Sequence, residues 1–121
     1  MDRVLSAYAA AEDKRILLMD TGMPTEKVIF EHDLPVIYVV SPTGGGQWNV
    51  KAVPPERGAF GQRISLPEAW AGLDGANLAK ACGVSDAVFA HPARFICGAA
   101  SREGALTMAK RALEIDAALK Q

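Results

Sequence analysis

The segment with the clearest chemical potential runs from Phe95 to Ala105 and reads Phe-Ile-Cys-Gly-Ala-Ala-Ser-Arg-Glu-Gly-Ala. It carries a predicted strand through small residues into a helix that Ser101 caps, with Glu103 in its first turn. Small residues let a ligand approach the backbone, and a helix N-terminus offers free N–H groups. Arg102 adds a bidentate donor for phosphate or carboxylate. The pattern predicts an anion cradle, although an ordinary strand–loop–helix with Arg102 paired to Glu103 or solvent explains it as well.

Two further residues bear on this cradle. Gly104 lies inside the first helical turn, where glycine costs about 1 kcal/mol relative to alanine, so it indicates a close packing contact or a ligand. His91 ends another predicted strand beside Pro92, where it is either a hydrogen-bonded structural group or one more donor to an anion. We predict that the Gly98–Ser101 loop, the helix start and His91 share one concave surface.

Other reactive groups are sparse. Cys97 could act as a nucleophile with His91 as its base, or it is simply a small buried thiol. Cys82 and Cys97 have no metal-binding spacing and are too few for a disulfide scaffold, which favours a reduced, cytoplasmic compartment. The sequence contains no HExxH, GxSxG or P-loop motif, and Gly44–Gly46 reads as a hairpin turn. We therefore assign neither catalytic residues nor metal ligands.

Composition limits the classes of protein that these residues can serve. The chain has 121 residues, half of them apolar, which is the size and composition of one globular domain. Thirteen basic and fourteen acidic residues leave a net charge of −1, so there is no overall basic character that would indicate nucleic acid or an anionic membrane. No apolar run reaches the roughly 18 residues of a membrane helix, and we expect no membrane partner.

Periodicity predicts the elements that position these groups in the order α-β-α-β-β-α-α-β-β-α. A hairpin pairs residues 35–41 with 47–53, and Trp48, Val50 and Ala52 share one face of its second strand. Strands at 86–90 and 94–97 precede a closing helix over 102–119. Such an order predicts an α/β (α+β) fold in which residues 1–121 form a single domain with a mixed sheet covered by helices.

Five blocks in order and spacing carry a family resemblance: Val50–Pro54, Phe60–Arg63, Leu66–Leu73, Phe89–Ile96 and Ser101–Ala109. Together they resemble the C-terminal part of the Myg-one (melanocyte proliferating gene) family. Its members are described both as metal-dependent protein hydrolases and as relatives of DHH-type phosphoesterases with 3′-to-5′ RNA exonuclease activity. The blocks depart from the family at Arg94 and Cys97, where it usually has glycine, and at Ser101, where it has threonine.

The resemblance implies a fold similar to the small C-terminal domain of DHH-type enzymes, which holds substrate through a glycine-rich motif. The family's metal-binding His/Asp motifs belong to an N-terminal domain absent from this chain, so a divalent metal is implied for the full-length proteins and no cofactor for this chain. Six residues form the expected substrate site, five by family motif position and the capping serine with them: Arg63, His91, Gly98, Ser101, Arg102 and Glu103.

Three functions follow as hypotheses. In the first, the chain is the substrate-binding portion of a metal-dependent phosphoesterase or nuclease, inactive alone, that binds a phosphate, nucleotide or RNA end and works with a missing catalytic domain or through self-association. The alternative is a stand-alone module that binds a nucleotide, RNA or protein without catalysis. The third is a small enzyme that uses Cys97 and His91.

Overall fold

The computed structural model describes residues 2–120 and follows the predicted order of elements. The first half contains α1 (Arg3–Ala10), β1 (Ile16–Leu18), α2 (Glu26–Glu31), β2 (Tyr38–Pro42) and β3 (Trp48–Ala52). The second half contains a short 3-10 helix (Glu68–Trp70), α3 (Gly75–Cys82), β4 (Ala87–Ala90), β5 (Ile96–Ala99) and α4 (Arg102–Leu119). A single α/β domain is thereby confirmed.

Local sequence explains where the helices begin and end. Asp2 caps α1, and its side chain accepts the Val4 N–H at 2.7 Å. Gly83 ends α3 in the left-handed conformation at φ 74°, which glycine adopts at little cost. Ser101 caps α4, and that helix covers the predicted residues 102–119.

The five strands form one mixed sheet in the order β1-β2-β3-β5-β4. β1 and β2 run parallel, with α2 on the connection between them, and every other pair is antiparallel. The predicted hairpin forms from β2 and β3. Trp48 pairs in register with Ala99 of β5, so the start of β3 lies beside the strand that leads into α4.

The two faces of the sheet are covered differently. The alternation predicted for β3 is confirmed, because Val50 and Ala52 are buried in the hydrophobic cluster that α4 covers while Lys51 is exposed on the opposite face. On that opposite face a second hydrophobic cluster joins α1 and α2 to β1 and β2, and none of its residues comes from β3, β5 or β4. Between residues 2 and 120, no helix has the length and apolarity required to span a bilayer.

Candidate functional site

The predicted anion cradle lies where β5 passes into α4, and the chain's own oxygen atoms occupy it. The Ser101 hydroxyl oxygen accepts the Gly104 N–H at 3.0 Å, and its proton is donated to Asp86 Oδ2 at 2.5 Å. A hydrogen bond from the backbone N–H of Glu103, followed by those from Arg102, lowers the pKa of the Glu103 carboxylate. Two carboxylates therefore already lie at the positive end of this helix, which disfavours a further anion on its N–H groups.

Packing explains the two glycines of this segment. Gly98 is buried in β5, where a Cβ would lie 2.7 Å from Phe89 Cε1. A Cβ on Gly104 would collide with the Asp86 carboxylate and lie 3.0 Å from the Ala99 Cβ. Of the two explanations predicted for Gly104, a close contact or a ligand, the structure provides the close contact.

His91 lies at the other end of β5. Its N–H donates to the Ile96 carbonyl at 3.0 Å, and its Nδ1 accepts the Ala93 N–H at 2.9 Å, so it organises the β4–β5 turn. A four-residue strand spans about 13 Å, and the whole of β5 lies between this turn and Ser101. The structure therefore places His91 and the Gly98–Ser101 loop at opposite ends of β5 and does not bring them together.

Arg63 has a structural environment of its own. Its guanidinium donates from Nη1 to the carbonyls of Leu34 and Val36, both at 2.8 Å, and stacks 5.0 Å from the ring centre of Phe30. These contacts tie the loop after β3 to the segment that joins α2 and β2. The six predicted site residues thus occupy three separate places: the β5–α4 junction, the β4–β5 turn and the Arg63 loop.

The cysteine–histidine pair does not form. Cys97 is fully buried on the face covered by α4, whereas His91 is exposed at the turn. Burial raises the pKa of the Cys97 thiol to about 12, so the thiolate that a nucleophile requires is disfavoured. The hypothesis of a small cysteine enzyme is therefore wrong.

Arg102 instead lines a cavity of about 430 Å³ between α1, the end of β1 and the start of β3. Arg3, Asp20, Trp48 and Arg102 provide its charged and aromatic groups, and we call it the arginine cleft. Arg102 pairs with Glu103 at 3.2 Å, as the ordinary strand–loop–helix alternative predicts. Because both side chains are exposed, the pair is weak and leaves the guanidinium available to a ligand.

Sequence reasoning identified Arg102 but not its neighbours in the cleft. Trp48 was predicted only to share one face of its strand with Val50 and Ala52, and its register opposite Ala99 is what brings it to the start of α4. Arg3, Ser6 and Ala7 follow the i, i+3, i+4 spacing of one helical face, which is the signal that places Arg3 on the cleft side of α1.

The metal implied for the family has no matching ligand set in the described part of the chain. Among residues 2–120, no three His, Cys, Asp or Glu side chains come together closely enough to hold an ion. His32 and His91 are exposed on different elements, and Asp86 is engaged by Ser101. These residues do not fit the metal, and we derive no metal-dependent step for this chain.

Residues 1–113 match the sequence profile MYG1_exonuc, described as "Uncharacterised protein family (UPF0160)". The chain belongs to this family. A MYG1 protein of Caenorhabditis elegans is 35% identical over 88% of this chain and 36% of its own length. The MYG1 exonuclease of Homo sapiens is 38% identical over 64% of this chain and 21% of its own length. The chain thus spans about a fifth to a third of these relatives. No solved structure matches it.

Arg94 occupies a position where the family resemblance leads us to expect a glycine. Arg94 adopts the left-handed conformation at φ 65°, which an L side chain seldom takes and glycine takes freely. Its Nε donates to the Leu66 carbonyl at 2.7 Å, and its own carbonyl accepts the Leu66 N–H at 3.0 Å. The arginine therefore keeps the turn geometry that glycine favours and adds a side-chain hydrogen bond to Leu66, which precedes the 3-10 helix.

Proposed function

We propose that this chain is the substrate-binding portion of a metal-dependent nuclease of the MYG1 family and that it does not hydrolyse substrate alone. In this proposal the phosphate-bearing end of a nucleic acid binds in the arginine cleft. The observation that carries the proposal is the cleft itself, where Arg3 and Arg102 from two helices face the same cavity as Trp48. The name of the human relative, MYG1 exonuclease, supports nucleic acid as the ligand class.

Each group in the cleft has chemistry suited to that ligand. A guanidinium donates two parallel hydrogen bonds to a phosphate, so Arg3 and Arg102 can together neutralise one phosphate dianion. Trp48 offers an aromatic face for a base. Among the described residues, Asp20 is the only carboxylate that lines the cleft, and it provides an acceptor for a sugar hydroxyl. A volume of about 430 Å³ lies in the range of small-molecule sites.

In this proposal, the hydrolysis of the phosphodiester is carried out by a segment other than residues 2–120. Phosphodiester hydrolysis requires an activated nucleophile. The family resemblance implies that a divalent metal, bound by a separate domain, would activate it. Within residues 2–120, Cys97 is buried, which raises the pKa of its thiol, and no group of His, Cys, Asp and Glu side chains could hold a metal ion. The catalytic segment then comes from a separate chain or from a longer form of this protein.

The binding half of the proposal is tested with adenosine 5′-monophosphate and the full chain in a calorimetric titration. Arg102→Ala should weaken binding by about tenfold or more, because a hydrogen-bonded charge contributes roughly 1.5–3 kcal/mol. Arg102→Lys should lose less affinity, since lysine keeps the positive charge and lacks only the pair of parallel donors of the guanidinium. Arg111→Ala, on the exposed side of the same helix, is the matched control and should bind as wild type. Equal affinities for all three variants would refute the arginine cleft.

The catalytic half is tested with single-stranded RNA and Mn²⁺ or Mg²⁺. We expect no products from the purified chain and recovery of cleavage when a family metal-binding domain is added. Turnover that co-elutes with the chain and disappears with EDTA would contradict inactivity alone. Mononucleotide binding without any recovery of cleavage would favour the stand-alone binding module instead.

A further inference from the structure

A second cavity, of about 540 Å³, lies on the sheet face opposite α4. Lys27 of α2, Lys51 of β3 and Arg57 of the following loop line it, and we call it the basic groove. Within the described chain, Glu26 is the only carboxylate in its lining, so the groove has two surplus positive charges although the chain as a whole has a net charge of −1. The three cations come from three different elements, so local sequence spacing does not account for their convergence.

These cations are also free to bind a ligand. In the part of the chain from residue 2 to 120, Lys27, Lys51 and Arg57 take no part in the side-chain ion pairs, which join Arg15 to Asp13, Arg102 to Glu103 and Lys120 to Asp116. All three side chains are exposed. Lys51 extends from the face of β3 that the second hydrophobic cluster leaves uncovered. The groove is therefore an open positive surface on the flank of the sheet.

An exposed aromatic residue adjoins the groove. Phe60 is 101% exposed, the highest value among the large hydrophobic residues of the described chain. It lies in a loop closed by a 2.8 Å hydrogen bond from the Arg63 N–H to the carbonyl of Val53, a residue that also lines the groove. Phe60 follows Arg57 by three positions, so their Cα atoms are at most about 11 Å apart. The Phe60 ring is therefore exposed to solvent and available for stacking.

We propose that the basic groove binds the sugar–phosphate backbone of a single-stranded nucleic acid, with a base stacked on Phe60. A positive groove beside an exposed aromatic ring is the combination that single-strand-binding proteins use. The proposal rests on the proposed function for its ligand class but concerns a different face of the sheet. Asp20 lines the arginine cleft and Met23 lines the groove, and the Cα atoms of these two residues lie at most about 11 Å apart.

The test measures the fluorescence anisotropy of a labelled single-stranded RNA of about ten nucleotides with the full chain. Each contact to a single strand contributes about −0.7 to the slope of log K against log salt, so Lys27→Gln/Lys51→Gln/Arg57→Gln should reduce that slope by about 2. Phe60→Ala should weaken binding by at least about fivefold, the lower end for one stacked base. Lys80→Gln and Leu119→Ala, exposed residues that line neither site, are the matched controls.

The outcomes separate the two proposals. If the triple variant keeps wild-type affinity and salt slope, the groove proposal is wrong even when Arg102→Ala still weakens mononucleotide binding. If polyglutamate displaces the RNA at equal charge and Phe60→Ala changes nothing, the groove binds an acidic protein and the proposal is again overturned. If neither RNA nor adenosine 5′-monophosphate binds, both proposals fail. Thermal unfolding of each variant confirms that its fold is retained.

Discussion

Gly104→Ala tests whether packing or a ligand explains the glycine at the start of α4. In an exposed helix this change stabilises by about 1 kcal/mol, since alanine is the better helix former. Here the new methyl group would collide with the carboxylate of Asp86 and press on Ala99. Asp86 can move away only by breaking its 2.5 Å hydrogen bond with Ser101.

The expected magnitude follows from these contacts. Loss of the partly buried hydrogen bond to a charged group costs roughly 1.5–3 kcal/mol. The remaining contact with the Ala99 Cβ, at 3.0 Å, adds about 1 kcal/mol of overpacking. The better helix propensity of alanine returns about 1 kcal/mol. We therefore expect Gly104→Ala to lower the free energy of unfolding by about 2 kcal/mol, and the melting temperature by about 8 °C in a chain of this size.

A double-mutant cycle with Asp86→Ala, followed by urea unfolding, isolates the collision. Removal of the Asp86 carboxylate takes away the obstacle, so Gly104→Ala in that background should cost less than about 1 kcal/mol and show a coupling energy of about 1–2 kcal/mol. A Gly104→Ala variant that is more stable than wild type would refute the packing explanation. It would reopen the possibility that this glycine serves a ligand.

Three further predictions concern residues whose side chains stabilise the fold rather than bind a ligand. In urea unfolding, Arg63→Ala should lower the free energy of unfolding by about 2 kcal/mol, because two carbonyls lose a charged donor. Arg63→Lys should recover little of this stability. A decrease below about 0.5 kcal/mol for Arg63→Ala would contradict the structural role of Arg63. Arg94→Gly should change stability by less than about 1 kcal/mol, since relief of the left-handed backbone offsets the lost hydrogen bond, whereas Arg94→Ala should cost more; equal melting temperatures for the two variants would refute this. The folded state raises the pKa of the Cys97 thiol from 9.0 to about 12, so its contribution to stability is complete below pH 9 and declines as the pH rises towards 12. Cys97→Ala should lose that alkaline decline, and native Cys97 should react with a thiol reagent only on unfolding; rapid modification of the folded chain would contradict its burial.

The fold was predictable where local chemistry decides it. Ser101 supplies a cap followed by an uninterrupted helical pattern, so the predicted and observed bounds of α4 coincide. The strand predicted at 94–97 instead covers Ile96–Ala99, because residues 91–95 form a turn closed by the Arg94 N–H on the His91 carbonyl. An arginine in the left-handed conformation gives no local signal of such a turn. The parallel pairing of β1 with β2 likewise depends on long-range packing.

The candidate site was predictable only in part, because its geometry depends on the order of strands in the sheet. Arg102 was identified from its place at the helix start. Nothing in the sequence indicated that Asp86, fifteen residues before Ser101, accepts a hydrogen bond from the Ser101 hydroxyl at the predicted cradle. Arg3 and Trp48 join Arg102 because β3 pairs with β5 and α1 packs across β1. Sequence alone specifies neither contact.

The central claim is that a nucleic-acid end binds in the arginine cleft, and nuclear magnetic resonance tests it most directly. In a titration with adenosine 5′-monophosphate, we expect the largest changes at the Trp48 indole N–H and at the amides of Ser6, Asp20 and Arg102. Arg102→Ala should shift the titration to about tenfold or more higher ligand concentration, and higher salt should weaken binding, as expected for an exposed charge pair. Shifts confined to the turn at 91–95, with the Trp48 indole unmoved, would contradict the account.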